Sequence, residues 1–131
     1  MRTHVAVWID HKEARIFDVE PGNVDHTTVE APHRNVHHKH PRGAEEAKAH
    51  PEDAKRFFHE VARALDGAVE ILVVGPSTAK LELIRYVDEH EHALASKVVG
   101  VETVDHPTDG QLVAHAKKYF ERTDAARSSA R

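Results

Sequence analysis

The run Val69-Glu-Ile-Leu-Val-Val-Gly75 constrains this chain most. Four consecutive apolar residues, Ile71 to Val74, leave no polar side, so both faces of the segment must be covered. A strand buried on both faces belongs in the middle of a sheet, and a parallel one needs helical crossovers. The flanks supply them. Upstream, Phe57, Phe58, Val61, Ala62 and Leu65 recur at helical spacing. Pro51 suits the first helical position, Glu52 and Asp53 suit the positive end of the dipole, and Gly67 suits the stop. Downstream, Ser77 or Thr78 can cap a helix whose buried face is expected to carry Leu81, Ile84 and Val87. Lys97 to Val104 reads as the last strand. Thr108-Asp109-Gly110-Gln111 has capping-box spacing and opens a helix through Leu112, Val113, Ala116, Tyr119 and Phe120.

The N-terminal part has the other periodicity. Thr3 to Asp10 (T-H-V-A-V-W-I-D) and Glu13 to Val19 (E-A-R-I-F-D-V) are rich in β-branched and aromatic residues. Only His11 and Lys12 separate these stretches, so they form a hairpin. Pro21-Gly22 sits where a type II turn wants Pro then Gly, and Val24 to Glu30 is a third, more polar strand. Its polarity suits an edge, and edges can pair, so the oligomeric state stays open. The predicted order is βββ-α-β-α-β-α in a mixed five-stranded sheet. Three antiparallel strands stand beside two parallel ones, with right-handed crossovers and helices on the faces. This α/β layout is that of the ribonuclease H-like three-layer fold; a plain three-layer sheet of another family is the alternative. Residues 1–122 are expected to form a single domain and 123–131 a disordered tail.

A chain of 131 residues is the size of one domain and can bury about two thirds of its unfolded surface. With no cysteine it has no disulfide, thiolate metal site or thiol chemistry. The start resembles no signal peptide, and no apolar run approaches a membrane span, which points to a soluble cytoplasmic protein with no membrane partner. There are 18 Lys+Arg against 22 Asp+Glu, for a formal charge of −4, so no overall field attracts nucleic acid. The 13 histidines make local charge depend on pH and on neighbours.

Residues 31–50 show no periodicity and hold Pro32, Pro41 and five histidines. Within them, His33-Arg34-Asn35-Val36-His37-His38-Lys39-His40-Pro41-Arg42 carries three fixed positive charges and no acid. Such an arm suits RNA phosphates, because bound Lys and Arg release counterions, and His and Arg stack on unpaired bases. The plain alternative is a solvated loop. His37, His38 and His40 could also hold a metal, since imidazoles bind Zn²⁺, Ni²⁺ and Cu²⁺. Their spacing does not match a closed structural site, so adventitious affinity is expected and no metal or other cofactor is assigned. Gly75-Pro-Ser-Thr-Ala-Lys80 lacks P-loop spacing and reads as a strand-helix turn, from which Lys80 could reach a phosphate. Asp10 and Asp105 at strand ends invite a two-metal nuclease reading, but no second and third partner is evident. No G-x-S-x-G occurs. Trp8 belongs to the core. His90-Glu91-His92 closes a helix, where cations favour the dipole. His4, His11, His26, His59, His106 and His115 are scattered and point to nothing on their own.

Several segments together resemble one family. Val5-Ala-Val-Trp-Ile-Asp10 with Glu13-Ala-Arg-Ile-Phe17 is similar to the first hairpin of the middle domain of archaeal and eukaryotic release factors and Pelota. Ile71-Leu-Val-Val-Gly-Pro-Ser-Thr-Ala-Lys80 resembles that domain's strand-Gly-Pro-x-x-x-Lys-helix element, and Val98-Val-Gly-Val-Glu-Thr-Val104 with Asp109-Gly110 its last strand and helix start. The similarity covers residues 3 to 120; order and spacing carry it rather than any single motif. Small bacterial members, described as translational machinery or host attachment proteins, share this size and layout. The resemblance implies a ribonuclease H-like fold and a ribosomal partner contacted through rRNA or tRNA. In release factors the loop before the first long helix carries Gly-Gly-Gln. The matching loop here, His33 to His50, has Arg42-Gly43-Ala44-Glu45-Glu46 and no glutamine; Gln111 is the only one in the chain. Ester hydrolysis by the family mechanism is therefore not expected. Pelota-type proteins also lack that glutamine and still act on stalled ribosomes. The expectation is a ribosome-associated RNA-binding protein acting in rescue, hibernation or stress. Its RNA-binding residues would be His33, Arg34, His37, His38, Lys39, His40, Arg42 and Lys80. The alternatives are a metal-dependent hydrolase or nuclease on the same fold, or a protein-interaction module.

Overall fold

The structure, a computed structural model, describes residues 3–20, 23–32 and 51–129. The expected Pro21-Gly22 turn and the whole 33–50 loop lie outside the described residues. The elements are β1 (His4–Ile9), β2 (Glu13–Glu20), β3 (Asn23–Glu30), α1 (Pro51–Ala64), β4 (Glu70–Gly75), α2 (Ala79–His90), α3 (His92–Ala95), β5 (Val98–Thr103) and α4 (Asp109–Ser129).

The strands form one five-stranded sheet in the order β3-β2-β1-β4-β5. β1 runs antiparallel to β2, with Val5 opposite Asp18 and Ile9 opposite Ala14. It runs parallel to β4, with His4 opposite Glu70 and Trp8 opposite Val74. β5 continues the parallel side, and β3 closes the antiparallel side. The central strand expected from the Ile71–Val74 run is therefore β4, buried along its whole length.

Strand alternation sorts the core into two halves. One sheet face carries Val5, Val7, Ile9, Ile16, Ile71 and Val73 against Phe57 and Val61 of α1, Leu65 just after it, and Leu83 and Val87 of α2. The other carries Ala6, Trp8, Phe17, Val19, Leu72 and Val74 against Leu112, Ala116 and Phe120 of α4. The result is the expected three-layer α/β arrangement. Each large side chain buried this way contributes about 1.5–3 kcal/mol, so both halves are needed.

Two local devices hold the centre. Asp10 closes the β1–β2 hairpin: its Oδ1 accepts the N–H groups of Lys12 (2.8 Å) and Glu13 (2.9 Å). Its own N–H donates to the Glu13 carbonyl at 3.0 Å. At the end of β4, a Cβ on Gly75 would stand 2.2 Å from the Ile9 carbonyl oxygen, so only glycine lets these backbones approach.

Four expectations need correction. The buried row of α2 is Ala79, Leu83 and Val87 (with Lys80), while Leu81 is 54% exposed. The row at i, i+4 and i+8 faces the sheet, and Leu81 points away from it. Thr78 stands at the N-cap without a side-chain cap bond; its hydroxyl donates to Glu82 Oε2 at 3.1 Å instead. Glu91 leaves the helical region (φ −138°, ψ 67°), so His90 ends α2 and His92 starts the separate short helix α3. Finally, the stretch read as a disordered tail from residue 123 continues α4 to Ser129. Asp124, Ala125, Ala126 and Arg127 contain no glycine or proline to stop it, and Ala and Arg are good helix formers. Gly67, with φ 89°, follows α1 as expected. Among the described residues no helix is long and apolar enough to cross a membrane.

Candidate functional site

In open α/β sheets, ligands collect where parallel strands end at their C-terminal side. Here that side gathers the Asp10 turn, the Gly75–Lys80 turn and the segment from Asp105 to Asp109. The side chains there are largely engaged with one another. Trp8, 1% exposed, donates its indole N–H to the Asp105 carbonyl at 2.8 Å. Arg15 lies opposite Trp8 in the hairpin register and stacks over its ring, with Cζ 4.4 Å from the centroid. Its Nη1 donates to Asp109 Oδ1 at 2.6 Å, and Glu13 Oε2 stands 3.6 Å from its Nε. On the other sheet face, His11 Nε2 and Glu82 Oε2 are 3.2 Å apart and tie the hairpin turn to α2.

This arrangement bears on three expected site residues. Lys80 is 6% exposed and donates its ammonium to the Ser77 carbonyl at 2.6 Å, so it braces the strand-helix turn from inside. Asp10 spends its carboxylate on the hairpin, as described above. The Asp105 side chain is 93% exposed and meets only its neighbour His106, at 2.9 Å, among the contacts described for it. The remaining expected residues, His33, Arg34, His37, His38, Lys39, His40 and Arg42, lie outside the described residues.

At the opposite end of the sheet, on the α4 side, the fold brings together residues that the sequence leaves apart. His4 begins β1, Glu70 begins β4 directly beside it, and Asp124 reaches them from the extended part of α4. His4 Nε2 lies 3.4 Å from Glu70 Oε1 and 3.4 Å from Asp124 Oδ2. The His4 ring packs on Phe120, centroids 4.5 Å apart. Among the described residues this is the group of three side chains able to share a metal ion, and neither Asp10 nor Asp105 belongs to it. One signal was available in the sequence. Glu70 stands at the head of an otherwise apolar strand, and a carboxylate buried there must find compensation.

No protein-family model matches the sequence, and no curated protein matches it. Solved structures do match. Pelota of Thermoplasma acidophilum superposes with a TM-score of 0.56 at 21% identity, covering 82% of this chain and 29% of that one. Pelota of Archaeoglobus fulgidus gives 0.58 at 16% identity over 95% of this chain and 37% of its own. An archaeal translation termination factor gives 0.57 at 14% identity over 97% and 39%. The fold is the one found in Pelota and the termination factor. Identities this low establish the shared fold, and this chain spans between 29% and 39% of the length of these three proteins.

Proposed function

We propose that this chain is a translation-associated domain that binds the ribosome through rRNA or tRNA and does not hydrolyse the peptidyl-tRNA ester. The observation that supports this reading is the likeness of fold, over 82% to 97% of the chain, to two Pelota proteins and a translation termination factor. The absence of Gly-Gly-Gln from residues 33–50 favours binding over hydrolysis. Contact with RNA is assigned to the basic stretch His33, Arg34, His37, His38, Lys39, His40 and Arg42, where cations can displace counterions from phosphates. Lys80, also expected to reach a phosphate, braces the strand-helix turn through the Ser77 carbonyl. Action in rescue, hibernation or stress, in the cytoplasm, is the finer form of the proposal.

Sedimentation of the purified protein with intact ribosomes through a sucrose gradient, at low and moderate salt, tests it. Salt-sensitive co-sedimentation that is lost on changing Arg34, Lys39 and Arg42 together to Ala supports the reading. Folded protein that stays at the top of the gradient with both vacant and stalled ribosomes overturns it.

A further inference from the structure

We propose that His4, Glu70 and Asp124 form a binding site for a single divalent transition-metal ion, with Zn²⁺ the best match. This inference stands apart from the ribosomal reading. It rests on geometry, charge and access.

The geometry comes first. Around zinc with bonds of about 2.1 Å, tetrahedral ligand atoms are separated by about 3.4 Å. His4 Nε2 stands 3.4 Å from Glu70 Oε1 and 3.4 Å from Asp124 Oδ2. The three donor atoms all lie within 4.8 Å of one another. The Asp124 side chain is 50% exposed, so its carboxylate has room to adjust to an ion. Rigid neighbours hold the other two ligands: β1 and β4 fix His4 beside Glu70, and Phe120 packs on the imidazole.

Charge points the same way. Glu70 is 8% exposed, and Asp124 adds a second carboxylate around one imidazole. Two carboxylates facing one imidazole in a partly buried place are a ligand set that a dication suits. The ligand set also selects among ions. One nitrogen and two carboxylates fit zinc, whereas calcium needs six to eight oxygens and magnesium prefers an oxygen octahedron with several waters. Access is through Asp124, whose side chain is 50% exposed.

Calorimetric titration of the full chain with ZnCl₂, and separately with MgCl₂, tests the site. Asp124→Asn, half-exposed on a helix, keeps the fold; Glu70→Gln keeps the buried volume while removing the charge. A triple change of His37, His38 and His40 to Ala controls for the histidine-rich loop. The expected result is a zinc site, not filled by magnesium, that persists in the loop variant. Asp124→Asn and Glu70→Gln should each weaken it by more than the roughly 10- to 100-fold that loss of an outer-shell partner costs. Cobalt should give tetrahedral visible bands in the loop variant and not in Asp124→Asn. Zinc affinity lost in the loop variant but unchanged in Asp124→Asn would overturn the proposal in favour of adventitious binding. No zinc binding at all would overturn it in favour of an imidazolium held between two carboxylates.

Discussion

Arg15 joins three parts of the molecule through one side chain. It sits on β2, covers the Trp8 indole of β1 and pairs with Asp109 at the start of α4. Its side chain is 18% exposed, so the pairing is partly shielded from water and worth more than an ordinary surface ion pair. Arg15→Ala is expected to cost about 1–3 kcal/mol in chemical denaturation. Trp8 is the only tryptophan, so its emission should shift to the red as water reaches the ring. Arg15→Lys should retain part of the stability but lose the planar stacking. Asp10 makes a second residue-scale prediction. Asp10→Ala leaves the Lys12 and Glu13 N–H groups to water and is expected to cost about 1–2 kcal/mol. Asp10→Asn retains the accepting oxygen and should cost less than half of that by the same measurement. The burial of Trp8 was legible in the sequence, because a tryptophan among β-branched residues has one natural place. The role of Arg15 was not, because its partner Asp109 is brought to it only by folding.

At the scale of elements, β1 and β4 set the geometry of everything else. Their parallel pairing requires Gly75 where the Ile9 carbonyl comes close. Gly75→Ala is expected to force the strand ends apart at a cost of about 3 kcal/mol, the upper end for overpacking. Thermal unfolding of the variant, followed by circular dichroism, measures this; an unchanged melting temperature would show that the strands approach less closely than described. The helices were legible to different degrees. Phe57, Phe58, Val61 and Ala62 of α1, with Leu65 just after it, mark the buried face clearly because polar residues fill the opposite side. In α2, apolar residues occur on more than one side, and Leu81 stays exposed while Ala79 and Leu83 are buried. Spacing alone does not choose between such rows; the position of the sheet does. The capping box of α4 formed as its spacing suggested, with Thr108 N–H donating to Gln111 Oε1 at 3.0 Å and Gln111 N–H to Thr108 Oγ1 at 3.1 Å.

For the molecule as a whole, the formal charge of −4 makes the proposed ribosome binding depend on where cations concentrate, and in the sequence residues 33–42 hold three of them with no acid. If Arg34, Lys39 and Arg42 each neutralise a phosphate, replacing all three by Ala should flatten the dependence of log K on log salt by about 2 to 3. Fluorescence titration of RNA fragments at several salt concentrations measures that slope. An unchanged slope would move the contact elsewhere on the surface.

The sequence by itself determined the fold class, because a solid apolar strand between helical segments leaves few arrangements that cover both of its faces. It also determined the N-terminal meander, the Trp8 core and the absence of Gly-Gly-Gln. Only the tertiary structure decided which row of α2 is buried, that Lys80 turns inward to Ser77, and that α4 runs on past residue 122. It alone placed Asp124 within 3.4 Å of His4, with Glu70 at the same distance on the neighbouring strand. The physical reason is the same in each case. Periodicity and turn chemistry act between near neighbours in the chain, whereas a cluster of side chains depends on strand register and helix length, which are settled only when the layers pack.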